Sequence, residues 1–341
     1  MEIRLATEQD AQGWDSYVKQ HELGTFFHLF GWKRVIDKSF NHPCFYVLAM
    51  DKQQICGILP LVEVKSLLFG HALVSTPFCV YGGAIADSQQ IQKQLEQFAC
   101  QLAEQLQVDY LELRYKDAQE SSLLLKQAHT TFGWNIPDNN DDILAKVKKK
   151  QRAVIRHAFK NNLSAEYHSD IDCFYHIMSQ SYRNLGTPIF SKKYFQNLMA
   201  EFADDVDVLV IKDEENSPAT TVMNFYFNEQ VLPYYGGGNA DSRRIKAADF
   251  MYYQVMCDAV KKGYTWFDFG RSKNDSGPFK YKKNWGMDAQ PLHYYYHLVK
   301  AKELPNLSPN NPKYKLFIAM WQKLPLLISQ KIGPFLSKSL G

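Results

Sequence analysis

An internal echo constrains the fold more than any other feature of this sequence. Residues 81–87 read YGGAIAD and residues 235–241 read YGGGNAD. Each is followed by a helical segment and then by a strand with a central acid and a trailing arginine, YLELR at 110–114 and WFDFGR at 266–271. Tyr81 and Glu112 are 31 residues apart, Tyr235 and Asp268 are 33 apart. Recurrence of the same elements in the same order at nearly the same distance marks a duplicated supersecondary unit. The chain is therefore expected to form two tandem α/β domains with mixed, largely antiparallel sheets flanked by helices. The expected divisions are residues 1–145, residues 146–300 and a tail of residues 301–341.

The second copy carries more chemistry. Val231 to Tyr235 reads as a short strand, and Gly236, Gly237 and Gly238 are expected to let the backbone leave it at unusual φ. Arg243 and Arg244 then fall where a helix begins, and a helix N-terminus with free N–H groups suits a phosphate or carboxylate. Gly263 fits the end of that helix, and Tyr264 to Phe269 reads as a strand around Asp268. The stretch FKYKKNWG at 279–286 reads as a loop of aromatics and lysines.

Earlier in the chain, residues 1–40 read as two helical pieces, with Trp32, Val35 and Ile36 as an apolar stripe and His28 beside it. Residues 45–50 and 55–64 read as a hairpin, in which Pro60 implies an edge position or a bulge. The run KVKKKQRAVIRHAFK at 146–160 places Val147, Ala153, Val154, Ala158 and Phe159 on one helical face. Lys149, Arg152, Arg156 and Lys160 fall on another, which is either a solvated face or an anion-binding surface. The segment RNLGTPIF at 183–190 offers Arg183 as a bidentate donor, with Thr187 in a loop shaped by Gly186 and Pro188. Tyr235 is a candidate for lining an acceptor pocket or for packing.

Composition narrows the function classes. With 341 residues, 45% of them hydrophobic and 22% charged, the chain is globular and not disordered. A net charge of +3 excludes a strongly basic nucleic-acid binder. The six cysteines form no C-x-x-C pair, so buried reduced thiols are expected rather than zinc ligands or a catalytic thiol. MEIRLATEQD lacks an apolar leader and no apolar run reaches membrane-spanning length, so a cytoplasmic protein is expected. Residues 304–341 contain five lysines and no Asp or Glu. Their apolar residues, Leu316 to Ile328 interrupted by Pro325, suit either a helix packed on the core or a basic amphipathic helix on an anionic bilayer.

Where YGG, FDFGRS and YKKNWG come together, the chain resembles the FemAB-type aminoacyl/acyltransferase branch of the GNAT superfamily, in particular the FemAB-like proteins associated with exosortase/PEP-CTERM exopolysaccharide systems. The resemblance rests on GILPLVEVKSLLFG, LVSTPFCVYGG, LELR, YRNLGTPIF, FDFGRSK and FKYKKNWGM, spread over about residues 25–298. It implies two GNAT-like domains and transfer of an acyl or aminoacyl group to an amine of a cell-envelope or exopolysaccharide precursor. It implies no tightly bound cofactor and an acyl-CoA or aminoacyl-tRNA donor. The long coiled-coil insertion of some Fem ligases is absent, and NADSRRIKAADF departs from the usual Arg/Gln-x-x-Gly-x-Gly/Ala pyrophosphate loop, so the donor stays open.

By motif, Lys282 corresponds to the lysine of the Fem Phe-Lys-x-x-Phe/Trp-Gly pattern, implicated in handling substrate phosphate or developing charge. Tyr281 and Trp285 belong to the same motif. Asp268 is a general base, an orienter of Arg271 or Lys282, or a member of a buried ion pair. Arg152, Arg156 and the lysine-rich tail are expected to engage a phosphorylated or lipid-linked glycan or peptide precursor, tRNA, or the inner-membrane surface. No Ser-His-Asp or Cys-His spacing supports covalent catalysis. The alternative is a non-catalytic assembly protein that keeps a degenerate GNAT fold to bind a phosphorylated glycan or lipid.

Overall fold

A computed structural model describes residues 1–66, 68–168, 171–305 and 312–340. In chain order its elements are β1 (Glu2–Leu5), α1 (Ala11–Gln20), α2 (Gly31–Phe40), β2 (Cys44–Asp51), β3 (Gln54–Ser66), β4 (Gly70–Ser75), β5 (Ile85–Ala86), α3 (Gln89–Gln105), β6 (Tyr110–Tyr115), β7 (Leu124–Lys126) and β8 (His129–Asn135). There follow α4 (Asn140–Lys146), α5 (Lys149–Ala158), β9 (Ser164–His168), α6 (Asp172–Leu185), α7 (Lys192–Glu201), β10 (Val206–Lys212), β11 (Pro218–Phe227), β12 (Gln230–Gly238) and α8 (Ala247–Lys261). The last are β13 (Trp266–Lys273), α9 (Gly277–Trp285), β14 (Asp288–Pro291), β15 (His293–Leu298), α10 (Pro312–Trp321) and α11 (Leu326–Ser337).

The chain divides into two compact units, each with its own mixed sheet. The first comprises residues 1–129, 291–306 and 338–341; the second comprises residues 130–290 and 307–337. The division differs from cuts at 145 and 300, and strand pairing explains why. β8 joins the second sheet between β14 and β13, whereas β15 returns to the first sheet between β6 and β7. Residues 307–337 group with the second unit instead of standing apart.

In the first unit the strand order is β1-β2-β3-β4-β6-β15-β7, with β5 on β3. Alternation along β2 and β3 turns Val47, Ala49, Leu59 and Leu61 towards α3, whose Leu95, Ala99 and Ala103 close the core. Ser88 caps α3 by accepting from Ile91 N–H. Pro60 is not at an edge. It lies in an inner strand, beside the gap between the β4 ladder, which ends at Leu61↔Ser75, and the β5 ladder, which begins at Ile58↔Ile85. A residue without an N–H is tolerated where one flanking ladder is interrupted.

His28 is fully enclosed: Nε2 donates to the Gly83 carbonyl at 2.9 Å and Nδ1 accepts from Thr25. Burial lowers its pKa to about 4, so it is a neutral packing residue. Glu112 and Arg114 also close on each other, Arg114 Nε donating to Glu112 Oε1 at 2.7 Å, and both are buried.

In the second unit the order is β14-β8-β13-β12-β11-β10-β9. The echo in the sequence is a shared crossover. β4 runs parallel to β6 with α3 between them in sequence, and β12 runs parallel to β13 with α8 between them. Gly236, Gly237 and Gly238 do not leave the strand at unusual φ, as the sequence reading has it; they belong to β12 and pair with Val222, Thr221 and Thr220. Close packing explains them instead. A Cβ on Gly237 would lie 2.8 Å from Ser181 Cβ of α6, and one on Gly238 would lie 2.5 Å from Ser242 Oγ.

The face of α5 also differs from the expected one. Gln151, Ile155 and Ala158 turn inward, while Ala153 and Phe159 are exposed. Val147 is buried ahead of the helix, where α4 ends.

Candidate functional site

The segment read as a loop at 279–286 is helix α9. Ser276 caps it by accepting from Phe279 N–H, Pro278 suits its first turn, and Gly286 ends it in the left-handed conformation at φ 96°. Two main-chain links hold its end: Lys148 N–H donates to Trp285 O at 3.2 Å, and Lys148 Nζ to Lys283 O at 3.0 Å. Consecutive side chains of the helix then serve two different places.

Lys282 points at β13. That strand bends at Gly270, φ 69°, where Asp268 Oδ1 accepts the Gly270 N–H at 2.7 Å. The bend offers two carbonyls, Gly270 O and Arg271 O, and Lys282 Nζ donates to both at 3.0 Å. The stem passes over the Phe269 ring, with Nζ 5.2 Å from its centroid. Burial lowers the pKa of this amine to about 7, with Asp268 opposing the shift and Arg271 adding to it. Near neutrality Lys282 therefore exists both as ammonium, able to stabilise a phosphate or oxyanion, and as free amine, able to take a proton. Asp268 is 3% exposed and its side chain organises the bend. The structure thus brings Lys282, Asp268 and the main chain of Arg271 together.

Tyr281 points the other way. Its hydroxyl donates to Asp249 Oδ1 at 2.9 Å, and Gln151 Nε2 donates to the same oxygen at 2.5 Å. These three residues border a cleft of about 470 Å³, whose cationic lining is Lys150, Arg243 and Lys246. Lys150 and Gln151 lie in the first turn of α5, Ala248 and Asp249 in the first turn of α8. Two helix N-termini and three cations therefore converge, the arrangement that favours a phosphate-bearing ligand. Burial raises the pKa of Asp249, against the two hydrogen bonds it accepts.

Other expected site residues are elsewhere. Arg152 spends its guanidinium on main chain, donating to Ala145 O at 2.5 Å and to Val147 O at 3.0 Å. It caps the end of α4 rather than facing a ligand. Arg156 is exposed in the last turn of α5 and does not line the cleft. Arg183 lies in the last turn of α6, where it donates to Asn184 Oδ1, and Thr187 is exposed just beyond. Tyr235 is a packing residue, 5% exposed among Phe190, Phe195 and Phe225, with its hydroxyl 2.8 Å from that of Tyr194. Trp285 is fully buried against Phe269 and Tyr252. Sequence reasoning missed Asp249, Gln151, Lys150 and Lys246. The one available signal was an acid inside the first turn of an otherwise apolar helix, AADFMYY.

Residues 145–283 match the family described as acetyltransferase (GNAT) domain. The second unit carries a GNAT domain. Over the whole chain the fold is FemAB-like, two GNAT-like domains in tandem. The crystal structure of FemX superposes with a TM-score of 0.68 at 16% identity, covering 93% of this chain and 100% of that one. A tandem GNAT protein from the clavulanic acid biosynthesis pathway gives 0.57 at 10% identity, covering 89% and 99%. The C-terminal domain of a protein named as a lysylphosphatidylglycerol synthetase, from Agrobacterium fabrum, also gives 0.57 at 10% identity, covering 84% and 91%. No curated protein matches the sequence significantly.

Proposed function

We propose that the chain transfers an acyl or aminoacyl group from a phosphate-bearing donor onto an amine of a cell-envelope or exopolysaccharide precursor at the cytoplasmic membrane face. The observation that carries this reading is the cleft of the GNAT domain, where Lys150, Arg243 and Lys246 meet the N-termini of α5 and α8 beside the helix that carries Lys282. Acyl-CoA and aminoacyl-tRNA both bring phosphates, and neither needs a bound metal or prosthetic group.

The chemistry asked of the protein is small. The amine nitrogen attacks the carbonyl carbon, a C–N bond forms, and the carbonyl oxygen becomes an oxyanion. Collapse expels the thiolate or alkoxide, and the proton lost by the amine neutralises that leaving group. Cations of the cleft hold the donor phosphates and so fix the carbonyl, which supplies positioning more than bond-making. Lys282, poised near neutrality, is the group we assign to the proton or to the developing charge. Asp268 holds the bend that seats Lys282, a positioning role.

The test is a parallel titration of acetyl-CoA and of charged and uncharged tRNA into the intact protein, with Arg243→Ala and Lys282→Ala. Saturable acetyl-CoA binding weakened by Arg243→Ala makes it a thioester-dependent N-acyltransferase. Preference for charged over uncharged tRNA makes it an aminoacyl ligase. If neither donor binds, the transferase reading fails and a phosphoglycan-binding protein with the same fold replaces it.

A further inference from the structure

Helix α11 is mounted the wrong way round for a helix that packs on a protein in water. Its small residues Ser329, Gly333 and Ser337 face inward and are buried. Gly333 is pressed so close that a Cβ there would lie 2.9 Å from the Ile189 carbonyl oxygen. Its bulky residues face outward: Leu327 is 80% exposed, Phe335 71%, and Ile328 and Ile332 are exposed beside them. A helix docked only to stabilise its own unit would present the opposite faces.

The preceding helix extends the same surface. In α10, Ile318 packs on Gly186 and Trp321 is buried, while Leu316 is 71% and Met320 63% exposed. Gln322, just after α10, donates to the Asn184 carbonyl, so both helices flank the short segment from Asn184 to Ile189. Leu185, within that segment, is itself 63% exposed. Contiguous apolar surface of this kind marks an interaction site.

Charge identifies the partner. Lys315, Lys323 and Lys331 are exposed on and between the two helices, and no Asp or Glu occurs anywhere in residues 304–341. Exposed bulky apolar side chains with lysines and no acid on the same two helices suit an apolar layer beneath anionic headgroups. No helix among the described residues is long and apolar enough to cross a membrane.

We infer that α10 and α11 form an interfacial docking face with which the protein seats on an anionic lipid bilayer. The face engages the hydrocarbon boundary through Leu316, Met320, Leu327, Ile328, Ile332 and Phe335, and phosphate headgroups through its lysines. The inference stands apart from the transfer chemistry and does not depend on it.

The test is flotation of the intact protein with phosphatidylcholine vesicles, with and without phosphatidylglycerol. Two variants accompany it, Leu327→Ser/Phe335→Ser and Lys323→Glu/Lys331→Glu, each checked by thermal melting. Both alter only exposed side chains, so a melting curve like the parent's is expected. The parent protein floats with the anionic vesicles, and each variant loses about tenfold or more in partitioning, with salt weakening the parent's binding. Equal partitioning into neutral vesicles overturns the assignment. So does no flotation, whether the protein is monomeric or forms a dimer that Leu327→Ser/Phe335→Ser dissolves. In the dimer case a second copy, not a bilayer, covers the face.

Discussion

Replacing Lys282 by Met isolates the electrostatic cost of burying its amine. Met keeps an unbranched stem over Phe269 and removes the titrating group. In the folded protein burial lowers the amine's pKa from 10.5 to about 7. Between those values the unfolded chain holds one more proton than the folded one, so stability rises with pH across that window. Below pH 7 the full penalty is paid; above 10.5 it is gone. The slope approaches about 1.4 kcal/mol per pH unit, and the two-state expression gives a gain of about 2 kcal/mol from pH 7 to pH 9. Met at 282 also strands the Gly270 and Arg271 carbonyls, but that loss does not vary with pH. Urea unfolding of both proteins at pH 7 and pH 9 therefore gives four free energies whose double difference is the prediction. Parent stability relative to Lys282→Met should increase by about 2 kcal/mol at the higher pH. A double difference within about 0.5 kcal/mol of zero, or of opposite sign, means Lys282 is charged like a surface lysine, and its role as a neutral-pH proton carrier goes with it.

Further outcomes follow from particular contacts. Gly237→Ala forces a Cβ to 2.8 Å from Ser181 Cβ and 2.9 Å from Met178 Sδ, and should lower stability by about 1–3 kcal/mol in chemical denaturation. Arg152→Ala should cost about 1 kcal/mol through the lost cap on α4 and leave pyrophosphate binding unchanged. Arg243→Ala should do the reverse, weakening pyrophosphate binding several-fold by calorimetry with little change in melting temperature. Glu112→Ala leaves the Arg114 guanidinium buried without its carboxylate and should cost about 3–5 kcal/mol, read by urea unfolding.

Legibility of this chain followed the kind of interaction involved. Local periodicity and spacing disclosed the hairpin of β2 and β3, the helix α3, and the paired crossovers, because each is written in a run of neighbouring residues. The FemAB-type resemblance agrees with the fold found. Misread positions depended on contacts distant in sequence. The three glycines of β12 answer to α6 and Ser242, and Pro60 to where two neighbouring ladders stop and start. Arg152 looked like an anion binder because the sequence cannot show that two carbonyls at the end of α4 lie within its reach. The cleft acid Asp249 was hidden for the same reason, since Gln151 and Tyr281 reach it from 98 residues before and 32 after.

The return of β15 has a consequence for synthesis on the ribosome. In the first sheet β15 lies between β6 and β7, yet 178 residues separate Tyr115, where β6 ends, from His293, where β15 begins. At about 5–20 residues per second the nascent chain waits roughly 10–35 s with β6 as a bare strand edge. The sheet that is begun first is thus the one that is completed last, since β14 closes the second sheet before β15 is made. Its open edge is a liability for strand exchange between neighbouring nascent chains on a polysome, and a chain stalled before residue 293 leaves the amino-terminal half incomplete.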